Sequence, residues 1–307
     1  MRKKLRRYEG RGRRRGPGHP VEWILGLNQW YTTVVKESFV EIAGRPAELA
    51  FPSVVHDCFD PASGLMRVLV LSDIHSNWHA LQAVAAAAGE VDACLCVGDI
   101  VDYGTEPGPC VDWIRRNADA SVRGNHDHSV AQRVLPRSGA GLRRLAAATR
   151  PLHWELLDQS QRRFLTRLPT TTRVVLQNRT LFLVHATPRD PLDEYLVGDA
   201  DAWRQRLNGI DAEFVCVGHS HVPFCLELGS QRILNPGSVG QPRDGDPRAS
   251  FAVIEDGQVR LERVEYDIDA TLQQMRETGV ESWVVELSSA LLRSGGRLSK
   301  DEMDAFR

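Results

Sequence analysis

The chain has 307 residues, 42% of them hydrophobic and 25% charged, with a formal net charge of -2. That length suits one large α/β domain or two small ones, and the composition is that of an ordinary globular protein, which excludes collagenous, disulfide-framed and wholly disordered classes. The near-neutral total hides a split: residues 1–20 carry nine Lys/Arg against Glu9 alone, so residues 21–307 are clearly acidic and present no basic surface of the nucleic-acid-binding kind.

Residues 1–65 are expected to form a poorly structured basic extension, rich in Arg, Gly and Pro at its start. Short strands are expected within it at 32–35 and 38–42. Met66 heads the first strong strand, Val68–Leu71, so the preceding stretch reads as a misassigned start or a dispensable extension, and 66–307 as the functional domain. An Ala-rich helix follows over Trp78–Ala88, with Ser76 or Asn77 placed to cap it. Next come a strand over Ala93–Val97, a helix opened by Pro107 and running to Asn117, and a strand over Ala120–Arg123. A helical insert spans His128–Leu168. Strands Thr171–Leu176 and Thr180–Val184 flank a turn at Gln177-Asn178-Arg179. A helix over Ala200–Leu207 precedes a buried strand, Phe214–Val217. The remaining strands, Phe224–Leu228, Arg232–Leu234, Ser250–Glu255 and Val259–Tyr266, turn at Gly229 and Asp256-Gly257 and so read as antiparallel. Helices over Ala270–Glu277 and Trp283–Arg293 follow. Alternating strands and helices give way to antiparallel strands, an order that suits an α/β fold with two mixed sheets packed together and helices outside.

The six cysteines contain no Cys-x-x-Cys pair and sit largely in apolar runs, which suits buried reduced thiols in a cytoplasmic protein. No apolar run approaches the roughly 20 residues of a membrane span. The basic start lacks the apolar core of a secretory signal.

Five polar clusters each follow a short apolar run: Asp73-Ile74-His75, Gly98-Asp99, Gly124-Asn125-His126-Asp127, His185 and Gly218-His219-Ser220-His221. Each alone is weak, since Asp-x-His and Gly-Asn are common in turns. Their joint occurrence at successive strand ends is the inventory for two adjacent metal ions. In extended chain, residues i and i+2 point to one side, so Asp73 with His75, and His219 with His221, can converge. A carboxylate can bridge two cations, which suits Asp99. The carboxyl ends of strands are also where α/β sheets place their sites.

This set, Asp73-x-His75, Gly98-Asp99, Gly124-Asn125-His126, His185 and Gly218-His219-x-His221, resembles the calcineurin-like metallophosphoesterase superfamily. The stretch Asn235-Pro236-Gly237-Ser238-Val239-Gly240-Gln241-Pro242-Arg243 further resembles its small prokaryotic branch of phosphodiesterases and diadenosine-tetraphosphatase-like enzymes. The resemblance implies a four-layer α/β/β/α sandwich. It implies one metal held by Asp73, His75, Asp99 and His221, and a second held by Asp99, Asn125, His185 and His219. It also makes His126 a non-ligand histidine beside the site.

The expected activity is hydrolysis of phosphate esters (phosphodiester, nucleotide or phosphomonoester). Two divalent ions about 3.5–4 Å apart would supply a bridging hydroxide for in-line attack. Catalytic roles fall to Asp99 and His126, the latter protonating the leaving oxygen or stabilising phosphoryl charge. Asp127 is placed either to orient His126 or to cap the turn. Arg243 and Arg123 are candidates for substrate phosphate. Imidazole and carboxylate ligands without thiolate suit Mn, Fe, Zn, Ni or Co, and the superfamily's habit favours Mn. The partner is a phosphorylated small molecule or nucleotide, with no membrane and with homo-oligomerisation open. Two other readings are a serine/threonine protein phosphatase, which differs only in its substrate groove, and a metal-binding scaffold without turnover. The insert's Arg143, Arg144, Arg150 and Trp154 either roof the site or form a solvated helical face, the second being the plainer expectation. His79, His128 and His153 carry no expected role.

Overall fold

The computed structural model describes residues 3–4, 53–55, 66–136 and 139–306. The expected strands at 32–35 and 38–42, and most of the basic extension, lie outside the described residues. From the extension come β1 (Lys3–Lys4) and β2 (Ser53–Val55). The domain then runs through β3 (Arg67–Leu71), α1 (Trp78–Ala88), β4 (Glu90–Val91), β5 (Ala93–Cys96), α2 (Pro107–Asn117) and β6 (Ala120–Ser121). The insert folds as α3 (Asn125–Ala131), α4 (Leu142–Leu156) and α5 (Gln159–Arg167). After it come β7 (Thr171–Leu176), β8 (Arg179–Val184), α6 (Ala200–Arg206), β9 (Phe214–Cys216), β10 (Phe224–Leu228) and β11 (Gln231–Asn235). The described chain closes with β12 (Ala249–Glu255), β13 (Gln258–Val264), α7 (Ile268–Glu277), α8 (Ser282–Arg293) and α9 (Lys300–Asp304), the last not expected from the sequence.

One sheet has the order β13-β12-β3-β5-β6 and the other β10-β11-β9-β8-β7-β2; β1 pairs separately with β4. Both are mixed: β3·β5·β6 and β8·β9·β11 run parallel, while β12 and β10 pair antiparallel with their neighbours. Strand alternation builds the core. Val68 and Val70 of β3, Leu95 of β5, Leu181 and Leu183 of β8 and Phe214 of β9 meet between the sheets. Leu69 and Leu71 point the other way and are equally buried. Each such side chain contributes about 1.5–3 kcal/mol relative to exposure. On the outer face of the six-stranded sheet, Phe182, Val184 and Val215 pack against Trp203 and Leu207 at α6. A third cluster joins Leu145 and Ala146 of α4 to α7 and α8 through Leu272, Met275, Val284 and Leu291. Helices therefore flank two packed sheets, as the α/β/β/α expectation required.

Local signals hold where chemistry is specific. Asn77 caps α1, its Oδ1 accepting from Ala80 N at 3.2 Å. Pro107 sits at the first helical position of α2. Gln177 and Asn178 turn the β7–β8 hairpin with positive φ of 47° and 61°. Among the described residues no helix is long and apolar enough to cross a membrane.

Candidate metal centre

The parallel strand ends of both sheets face one another across a single cluster. Asp73 and His75 follow β3, Asp99 follows β5, His185 follows β8, and His219 and His221 follow β9. Two groups of ligand atoms result, Asp73–His75–His221 and Asp99–His185–His219, each within 4.8 Å of one another. Convergence does not come from extended alternation, as the spacing argument supposed. Asp73, His75, Asp99, His219 and His221 all hold left-handed backbone, with φ of 54°, 49°, 53°, 63° and 58°. Such geometry is unfavourable for side chains larger than Gly and persists only where the surroundings enforce it. Here Asp73 N donates to Gly98 O at 3.0 Å, and Ile74 N and His75 N both donate to Asp99 O at 2.8 and 3.0 Å. The Asn235–Arg243 stretch clamps the other side: Val239 N and Gly240 N donate to Ser72 O and Asp73 O, and Ser238 Oγ donates to Asp73 O at 2.7 Å. Gly240 permits this approach, because a Cβ there would lie 1.8 Å from Ile74 O.

The atoms fit a pair of cations. Asp99 Oδ1 accepts from His126 N at 2.8 Å, leaving Oδ2 between His185 Nε2 at 3.1 Å and His75 Nε2 at 3.8 Å. Asp73 Oδ2 accepts from His219 N at 3.1 Å, leaving Oδ1 buried without a hydrogen bond, 3.2 Å from His221 Nε2. The Nδ1 atoms of His75, His185 and His221 face the carbonyls of Val101, Val97 and Gln241 at 3.2, 2.8 and 2.5 Å. Only an N–H can bond a carbonyl, so in the neutral rings each Nε2 is a lone pair aimed inward. His75 Nε2 and His221 Nε2 consequently confront each other at 3.2 Å. Lone pairs facing lone pairs and carboxylate oxygens in a buried site call for positive charge between them, which a proton or a metal ion can supply. Asn125 Oδ1 lies 3.1 Å from His219 Nδ1, so it joins the second group.

Electrostatics agree. Burial acts to raise Asp73, yet His221 and His185 carry it below the usual carboxylate range. Burial and the neighbouring His221 hold His75 low, and burial with His185 holds His219 at about 4, so both are neutral and available at neutral pH. His185 is the exception: burial would lower it, but Asp99 carries it to about 10. Below that pH a proton occupies the place of a cation. Titrating Mn into metal-free protein at pH 7–8 is therefore expected to release about one proton from His185, and apparent affinity should rise about tenfold per pH unit towards pH 10. Proton release in weakly buffered solution is the measurement; none detected would contradict the assignment.

The neighbouring imidazole is held differently from expectation. Asp127 does not orient His126. Its Oδ1 accepts from Ile100 N and Val101 N at 2.8 and 3.2 Å and its Oδ2 from Gly124 N at 3.1 Å, so it is the buried cap that joins α3 to the Asp99 loop. Burial with Asp99 nearby pushes it up to about 7. The orienting carboxylate is Asp102, whose Oδ2 accepts from His126 Nδ1 at 2.7 Å. The same oxygen takes Arg150 Nε and Nη2 at 2.8 and 2.6 Å, and Oδ1 takes Thr149 Oγ1 at 3.2 Å. Burial would raise Asp102, but His126 and Arg150 hold it well below the ordinary carboxylate value. His153 is buried, its Nδ1 accepting from Asp102 N at 3.1 Å and its Nε2 donating to Gly104 O at 2.7 Å. Arg150 and His153 thus belong to the site's support, not to a solvated face. Arg143 is exposed and Arg144 lies over the Trp283 ring. Asp102, three residues after Asp99, was not singled out in the sequence, and Arg150 and His153 carry no local signal at all.

Of the two arginines, Arg243 is brought to the centre. Its charge bears on His221 and Tyr103, its Nη2 donates to Gln241 at 3.3 Å, and its Nε is buried without a partner. Arg123 is not: its guanidinium is taken by the Thr166 carbonyl and by His128 Nδ1 at 3.4 Å, on the side of α5. Asn77 packs behind the site, its Nδ2 donating to Gly240 O at 3.0 Å.

Carboxylates and imidazoles gathered at the strand ends of a double-sheet sandwich are the frame of a phosphoric ester hydrolase. The calcineurin-like phosphoesterase superfamily domain matches residues 66–257, and the chain belongs to that superfamily. It is 32% identical to an uncharacterized protein of Methanocaldococcus jannaschii over 71% of this chain and 96% of that one. It is 24% identical to the phosphodiesterase YfcE of Escherichia coli over 62% of this chain and 88% of YfcE. The crystal structure of a metallophosphoesterase from Sphaerobacter thermophilus, at 36% identity, superposes with a TM-score of 0.62 and covers 75% of this chain and 99% of that one.

Proposed function

We propose that the centre holds two divalent metal ions, Mn first among the candidates and Fe, Zn, Ni or Co next, and hydrolyses small phosphate esters, including phosphodiesters and nucleotides. Asp73, His75, Asp99 and His221 would hold one ion, and Asp99, Asn125, His185 and His219 the other. The observation that carries this reading is the pair of buried carboxylate oxygens, Asp73 Oδ1, which has no hydrogen-bond partner, and Asp99 Oδ2, each facing an imidazole Nε2, at 3.2 and 3.1 Å, on a ring whose Nδ1 is tied to a carbonyl. Such ions, when bound, act as Lewis acids on phosphoryl oxygen and lower the pKa of water.

The chain's own groups divide the rest of the work. Asp99 fixes the geometry from both sides, one oxygen held by the backbone of His126 and the other shared between the two ligand groups. His126, oriented through Nδ1 by ionised Asp102, presents Nε2 to the substrate and gives its proton to the leaving oxygen as the P–O bond breaks. Arg243 neutralises charge on a non-bridging oxygen. Arg123 has no part in this arrangement. Buried thiols at Cys94, Cys96, Cys110 and Cys216 suit a reducing, cytoplasmic setting.

Leaving-group dependence tests the assignment. With Mn present, His126→Ala is expected to lower kcat by about 100-fold or more on alkyl phosphate esters. The loss should be distinctly smaller on bis-p-nitrophenyl and p-nitrophenyl phosphate, whose leaving group departs without a proton. Equal losses on both would remove His126 from the acid role. A metal-loaded wild type without turnover of any ester would favour the scaffold reading.

A further inference from the structure

Two consecutive residues grip the same imidazole. Asp102 takes His126 Nδ1, and Tyr103 reaches His126 Nε2 with its hydroxyl at 3.2 Å. The first contact orients the ring. The second occupies the nitrogen that the leaving oxygen must meet, so it cannot persist once an ester is bound.

Tyr103 is held for this contact at some cost. It has φ of 62°, directly after φ of 79° at Asp102, a left-handed pair in which a bulky aromatic is a conformational outlier. Its ring lies 4.6 Å from both the His75 and the His126 rings, and only 7% of its surface is exposed. Its hydroxyl adjoins Arg243, whose Nε is buried without a partner. Three groups thus converge on one corner beside the His75–His221 pair: the Tyr103 O–H, the Arg243 N–H groups and His126 Nε2. With Nε2 reserved for the leaving oxygen, the Tyr103 O–H and the Arg243 N–H groups remain as donors for a non-bridging oxygen, the arrangement an oxyanion requires.

We propose that Tyr103 is a catalytic residue whose hydroxyl leaves His126 Nε2 when substrate binds and donates to a non-bridging phosphoryl oxygen alongside Arg243. The exchange turns the O–H about the C–O bond and draws the hydroxyl oxygen off Nε2 by a small tilt of the ring. A hydrogen bond to a charged phosphoryl oxygen is stronger than one between neutral groups, so the substrate draws the hydroxyl over. Before binding, the same hydroxyl keeps Nε2 satisfied and the ring in register. The proposal rests on the phosphoesterase reading of the centre.

Tyr103→Phe keeps the ring and removes the donor. It is to be made in the full chain alone and on the His126→Ala background, loaded with Mn. The readouts are turnover of bis-p-nitrophenyl phosphate and calorimetric binding of inorganic phosphate. We expect kcat/KM and phosphate affinity each to fall by about tenfold or more, and both losses to persist on the His126→Ala background, with metal content unchanged. Losses that vanish on that background would show that Tyr103 acts only through His126, and would overturn the proposal. No loss in either background would reduce Tyr103 to packing and also overturn it, as would a Tyr103→Phe protein that no longer retains metal. If the wild type lacks turnover, the parent reading fails; undiminished phosphate binding by Tyr103→Phe would then separately refute the role assigned here.

Discussion

Asp99→Asn is expected to abolish most metal-dependent turnover, by at least about 100-fold, and to lower metal content in the same preparations. The backbone of His126 fixes one oxygen of Asp99, and the other is the single atom that both imidazole groups approach. An amide keeps the size and the accepting oxygen. It loses the charge, and it turns either a donor or a neutral oxygen towards the two groups. The proton on His185 depends on that charge, so the proton released on metal addition should disappear from the variant as well. Ligand stabilisation should vanish in parallel: metal that binds only the folded state adds RT ln(1 + [L]/Kd) to stability, and a thermal melt with and without Mn should separate for the wild type and coincide for Asp99→Asn. Full turnover by Asp99→Asn would remove the shared-ligand reading.

Arg150→Met should destabilise the protein by about 3–5 kcal/mol and lower kcat while leaving KM nearly unchanged. Arg150 and Asp102 are both buried, and removing one member of a buried ion pair strands the other. Methionine fills much of the same volume, so the loss reports charge and hydrogen bonding more than a cavity. Asp102 would keep Thr149 and the Tyr103 N–H as partners, but the fork from Arg150 Nε and Nη2 that fixes its Oδ2 would be gone. His126 would then lose its fixed orientation, which acts on the chemical step and not on substrate capture. Arg150→Lys should recover part of the charge without the two-point geometry. Urea unfolding with metal present, beside steady-state kinetics, measures both effects. A stability change within about 0.5 kcal/mol would show that the pair is dispensable.

The candidate ligands were legible in the sequence because each sits where a short apolar run stops. β3, β5, β8 and β9 are short, end in unbroken apolar runs and are easily delimited, so Asp73, Asp99, His185 and His219 stand at recognisable ends. Helices with specific chemistry, such as α2 with Pro107 and α1 with its Asn77 cap, were equally legible. Sequence distance proved a poor guide to the support around His126. Asp127 is adjacent in the chain, but α3 turns its carboxylate back towards Ile100 and Val101. Asp102 lies 24 residues away and reaches His126 only because the β5 loop returns across the strand ends. Arg150 is one of several arginines in a helix that reads as amphipathic; only packing distinguishes it from Arg143. The left-handed backbone at the candidate ligands leaves no readable pattern: Asp and His are enriched there among non-glycine residues, but most of them lie elsewhere.

Helix α4 brings Thr149, Arg150 and His153 to Asp102 on one face while Leu145 and Ala146 anchor it to α7 and α8. Evolution therefore has little freedom to remodel this insert. A substitution that refits its rim for a new substrate travels through the same helix that sets the acid's geometry and part of the fold's stability. Changes of specificity are expected to arrive with compensating changes in α7 and α8, and chimaeras that exchange the insert alone should lose turnover before they lose metal.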